Sequence, residues 1–140
     1  MTVTRILGST LLALSVSAVA QAGPPRQCVE ESEKLFGRRA MLAGKETPPL
    51  RKVRDAQPEY PTRQGSSRAV SSIWIGEALV DKDGTVRDVW TIRPLRFEPA
   101  WPEFEAAIPA AIRKWSYEPA LSDSLPVPVC VTVSVLIHWR

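Results

Sequence analysis

The chain holds a single histidine, His138, and two cysteines, Cys28 and Cys130. That inventory limits its chemistry. One histidine cannot build a two-histidine metal site, and no Cys/His cluster exists to hold zinc. A Ser-His-Asp relay would have to use His138. That residue sits among the apolar residues of a strand-like run, where packing in the core or at an edge is the better account. Asp81 and Asp83 belong to Asp81-Lys82-Asp83-Gly84, so they are turn formers before they are acid–base groups. Carboxylates at calcium-loop spacing are absent, and so is a glycine loop that could cradle phosphate. The residue types point away from catalysis, metals and cofactors.

What the cysteines can do is pair, and the compartment decides whether they do. Residues 1–22 read MTVTRILGSTLLALSVSAVAQA. Arg5 precedes an apolar run, and the run closes on Ala20-Gln21-Ala22. This is the three-part pattern of a secretory signal peptide, expected to be cleaved after Ala22. The apolar run falls short of the roughly 20 residues a spanning helix needs. The alternative is a leader retained as an inner-membrane anchor. Export would take Cys28 and Cys130 into an oxidising compartment, the periplasm. A Cys28–Cys130 disulfide would close a loop of about 100 residues and remove roughly 4.7 kcal/mol of denatured-state freedom. Two unrelated buried thiols are the other reading. Neither cysteine has a Cys-x-x-Cys neighbour, so a redox-active role has no support.

Loss of residues 1–22 leaves roughly 118, room for one small domain. Hydrophobic residues make up 44% and charged residues 24%, which are globular values. A net charge of +3 is too small for a dedicated nucleic-acid binder. The basic residues between Arg38 and Arg68 read as a solvated arm. Prolines outnumber glycines, 13 to 7, so connectors should be extended rather than helical.

The elements follow from pattern. Residues 23–56 form an N-terminal arm, with a helix predicted over 28–42 from the spacing of Val29, Leu35, Phe36 and Leu42. Gly37 interrupts that helix and Gly44 would end it. A proline-rich connector covers 45–61. The compact domain spans 57–140. Strands are predicted at 72–81 and 85–92, joined by an Asp-Gly hairpin turn. A helix follows over 103–115, with Pro102 suited to its first position. Pro109 lies inside it and, at about 3 kcal/mol or more, predicts a kinked or two-piece helix. The last strand, 127–139, places Val129, Val131, Val133, Val135 and Ile137 on one face.

These pieces resemble the C-terminal domain of the TonB family. The similarity is carried by Gln57-Pro58-Glu59-Tyr60-Pro61, by Val80-Asp81-Lys82-Asp83-Gly84 with Val86-Arg87-Asp88-Val89, by Ile112-Arg113-Lys114-Trp115-Ser116-Tyr117-Glu118-Pro119-Ala120, and by a Val-rich last strand. It covers about residues 57–139. Pro109 is foreign to the family's helix.

The resemblance implies an α+β fold: a ββαβ unit with a three-stranded antiparallel sheet and one packed helix, here preceded by the helical arm. It implies a periplasmic, non-catalytic binding protein. The partner would be an extended peptide of an outer-membrane receptor, the TonB box, or another periplasmic protein. That peptide would add to the edge of the last strand, Val129 to Ile137, near Gln57 and Tyr60. Unpaired N–H and C=O groups make such an edge a template, and they also allow a homodimer through edge strands. Tyr60 has a second reading as a core plug. Trp115, Tyr117 and Pro119 are expected to close the helix onto the sheet. A different class stays open: a structural or inhibitory periplasmic protein whose edge is masked by its own disulfide-tethered arm.

Overall fold

A computed structural model describes residues 26–62 and 70–139. The proposed leader, residues 1–22, lies outside the described residues. The fold is mixed α+β.

The first helix, α1, runs Gln27–Phe36 rather than to Leu42. Gly37 adopts φ 66°, and its N–H donates to the Glu33 carbonyl at 2.9 Å. A glycine in that left-handed conformation ends a helix at little steric cost. The chain then turns back. Ser32 Oγ accepts the Ala40 N–H at 2.7 Å. Met41–Leu42 becomes a short strand, β1. Arg39 grips both carboxylate oxygens of Glu46, which also accepts the Leu42 N–H. The Arg39 hydrogen bonds, then the Leu42 bond, hold the Glu46 carboxyl below its ordinary range.

The arm continues into β2 (Lys52–Arg54). The hairpin of β3 (Val70–Val80) and β4 (Val86–Arg93) follows. Its turn closes as expected for Asp-Gly: Asp81 N–H donates to Thr85 O at 2.8 Å, and Gly84 takes φ 88°. A Cβ on Gly84 would lie 1.9 Å from the Tyr117 carbonyl oxygen. Glycine is therefore required twice there, for conformation and for space.

Helix α2 spans Pro102–Ile112. It starts on proline, as expected, and runs as one helix through Pro109. Of the two forms expected, kinked or two-piece, the two-piece one does not occur, and Trp115 lies beyond the helix end. After α2 come β5 (Ser116–Tyr117), β6 (Leu121–Ser122), β7 (Leu125–Pro126) and β8 (Val129–Trp139). The β6–β7 hairpin turns on Asp123 and Ser124, both at positive φ.

The main sheet has four strands in the order β1-β8-β3-β4, not the three expected. The extra strand comes from the arm. Met41 and Leu42 pair in parallel with Val129 and Cys130. A two-residue parallel strand has little stability alone. Here the disulfide between Cys28 and Cys130 anchors the arm beside it.

Both sheet faces are covered in part. Trp74, Ala78, Val89, Val133 and Ile137 pack against Phe104, Ile108 and Ile112 of α2. On the other face Leu79, Cys130 and Trp90 pack with Cys28, Val29 and Phe36 of α1. Strand alternation alone sorts the two sets. Among the described residues, no helix is long and apolar enough to cross a membrane.

Candidate peptide-binding edge

Strand β8 pairs along its whole length with β3, from Val129 opposite Val80 to Trp139 opposite Val70, without a register shift. Among the described residues, its other edge is occupied only at the start. Met41 N–H donates to the Pro128 carbonyl at 3.2 Å and Ala43 N–H to the Cys130 carbonyl at 3.0 Å. Backbone groups alternate sides along a strand. Thr132, Ser134, Leu136 and His138 therefore turn their N–H and C=O outward, where no described strand pairs with them.

Beside this open stretch stands the arm. Lys52, Asp55, Ala56, Gln57 and Pro58 face Ser134, Val135 and Leu136 across a cavity of about 260 Å³, floored by Ile108, Ile112 and Trp115. Several contacts fix the arm there. β2 pairs antiparallel with β5, and Glu118 N–H donates to Arg51 O at 2.8 Å. Trp115 Nε1–H donates to the Ala56 carbonyl at 2.9 Å. The Lys52 ammonium lies 3.5 Å from the centroid of the Trp115 ring, a cation–π contact, and bonds Asp55 Oδ1 at 3.0 Å. That hydrogen bond holds the Asp55 carboxyl below its ordinary range. Gln57 Nε2–H donates to the other Asp55 oxygen at 3.2 Å. The groove thus has an apolar floor and a polar rim.

The expected site residues separate into groups. Gln57 is exposed on the groove wall. Tyr60 stacks on Phe104, centroids 4.0 Å apart and planes 9° apart, as the core-plug reading requires; burial pushes its hydroxyl up. Val131, Val133, Val135 and Ile137 turn their side chains to the α2 side and their backbone groups toward β3. Of these, Val135 reaches the groove. Val129 is fully buried and its edge is taken by β1. Tyr117 is buried, with its hydroxyl pushed up to about 12 by desolvation. Trp115 is half-buried and serves the groove, while Pro119 is exposed rather than core.

Sequence reasoning missed Lys52, Asp55 and Ala56. It also missed that the outward backbone belongs to the alternate residues. The signal was there: Thr132, Ser134 and His138, all at even positions and broken only by Leu136, interrupt an otherwise apolar strand. His138 is exposed, with Nδ1 3.1 Å from Ser71 Oγ across the β3–β8 rung.

No family model matches the chain, and no curated protein matches it. Among the described residues, no three His, Cys, Asp or Glu side chains come together to hold a metal ion.

Proposed function

We propose that the chain is an exported, non-catalytic peptide-binding protein of the TonB C-terminal type. In this reading β3, β4, α2 and β8 are the family's ββαβ unit, and β1 is this chain's own addition. An extended segment of an outer-membrane receptor or another periplasmic protein adds as a strand along Thr132 to His138. Transport energised through TonB-type receptors is the process it would serve. The single observation that carries the proposal is the row of outward N–H and C=O groups past Cys130, open beside an apolar groove. Backbone pairing supplies affinity, and the groove selects the side chains that point into it. The Cys28–Cys130 bond suits a periplasmic location.

One observation favours the second reading, a self-masked structural or inhibitory protein. β1 already occupies the edge at Val129 and Cys130. Among the described residues the masking covers only that start, which favours the binding reading.

The test is calorimetric titration with synthetic peptides copied from the N-terminal segments of outer-membrane receptors. Ser134→Pro deletes one outward N–H and should abolish binding while the circular dichroism spectrum is kept. A folded Ser134→Pro protein that binds as tightly as the parent would overturn the edge proposal.

A further inference from the structure

The sheet face that looks away from α2 is covered at one end. Near the hairpin turn, Leu79, Cys130 and Trp90 pack with α1. Ile73 stands opposite Leu136 on the same face, six residues along β3 from the Leu79–Cys130 pair. At roughly 3.3 Å per residue that is about 20 Å away. Ile73 is 40% exposed and Leu136 58%. Among the described residues, neither belongs to a buried cluster.

Leu136 has an apolar neighbour on one side, Ile73, and the open edge of the sheet on the other. Its N–H and C=O point outward, so its pairing with Ile73 is the kind that exchanges no backbone bonds and brings side chains closest. The flanking positions on this face of β8 differ: Ser134 and His138 are polar and exposed.

A strand added at this edge alternates as β8 does. Whichever direction it runs, the residue beside Leu136 turns its side chain to the Leu136 face. The neighbour beside Val135 turns the other way, into the groove floored by Ile108, Ile112 and Trp115. Residues two places from the first lie beside Ser134 and His138. The edge therefore offers one apolar position on each face, at successive residues of a guest, in an otherwise polar setting.

Resting on the edge reading above, we propose that the partner segment carries two adjacent apolar residues within a polar frame. One extends the Ile73–Leu136 row by a third side chain, and the next fills the groove. Cross-strand apolar pairs of this kind stabilise a sheet. A guest that is apolar at every second residue meets only one of the two positions and leaves the other bare. The selection is thus for an apolar doublet over an alternating strand.

The probes are three capped decapeptides in one Ser/Thr frame with lysine at both ends. One has Val-Val at its centre, one Val-Ser-Val and one a single Val. Each is titrated into the oxidised protein and followed by nuclear magnetic resonance at the Thr132, Ser134, Leu136 and His138 amides. The Val-Val probe should bind about fivefold more tightly than the other two. Leu136→Thr keeps a strand former at an exposed position, and circular dichroism checks that the fold stands. It should weaken the Val-Val probe about fivefold and move the single-Val probe, whose side chain can take the groove, by less than about twofold. Ser134→Pro should lose all three. Equal affinity for the three probes, or a Leu136→Thr protein that keeps the Val-Val preference, would overturn the inference alone as long as Ser134→Pro abolishes binding. Probes that bind Ser134→Pro as they bind the parent, or that do not bind the parent, would overturn the edge reading and this inference with it.

Discussion

The Cys130 carbonyl accepts the Ala43 amide at 3.0 Å, and that bond sets the parity of the last strand. Counting from it, the even-numbered residues of β8 face outward and the odd-numbered ones face β3, since their pairing is continuous. The two sets are chemically different as well. The β3-facing residues Val131, Val133, Val135 and Ile137 are apolar and belong to the cluster that includes α2, whereas Thr132, Ser134 and His138 are polar and exposed.

Parity makes a stability prediction. Proline at Val133 deletes an N–H turned toward Gly76 of β3 and should cost about 3 kcal/mol or more. Proline at Ser134, one residue on, faces the open side and should cost less than about 1 kcal/mol. Thermal unfolding of the two variants followed by circular dichroism checks this. Equal losses would mean that the outward groups of β8 are paired after all.

The covalent link between arm and sheet gives a second. Cys28→Ser should lower stability by about 2–5 kcal/mol, in line with loss of a native disulfide from a small domain. The effect should also have a place. Amide exchange should quicken first around Met41 to Thr47, where β1 and the Glu46 clasp depend on the anchored arm. Exchange-rate mapping by mass spectrometry, with the reduced parent as comparison, reads both effects. Unchanged protection of those amides would show that β1 holds without the bond.

Alkaline pH gives a third. The Tyr117 hydroxyl ionises near 12 in the fold because burial disfavours its anion, against an ordinary value of about 10. The folded state therefore holds the proton more tightly than the unfolded state. Its contribution to stability is intact below pH 10 and is lost as pH rises from 10 to about 12. Denaturant unfolding across that window should show the loss, and Tyr117→Phe should flatten the part due to this ring. A Tyr117→Phe protein with the same alkaline slope would assign the loss to other groups.

Much of this architecture was legible in the chain. Asp83-Gly84 announced its turn, Pro102 its helix start and the Val-rich run its strand, because each signal is local. The covalent pair was legible too, since a chain with two cysteines has one intramolecular way to pair them. What could not be read is non-local. Met41 and Leu42 form a strand only because Cys28, Ser32 and Glu46 bring them to β8. The groove wall hangs on a bond from the Trp115 ring to the Ala56 backbone, and a backbone carbonyl leaves no mark in a sequence. The β6–β7 hairpin turns on Asp-Ser at positive φ, where the familiar signature would carry glycine.

The sulfur bridge also determines where mechanical load would run. Cys28 and Cys130 lie 102 residues apart in the chain but 6.0 Å apart between Cα atoms. A pull on the polypeptide upstream of Cys28 crosses directly into β8, the strand that carries the open edge. The folded loop between the cysteines, with α2 and both strands of the central hairpin, stays out of that path. Tension delivered to a partner strand at Ser134 would thus travel through one covalent shortcut and a few residues of backbone, and the core would be spared the strain.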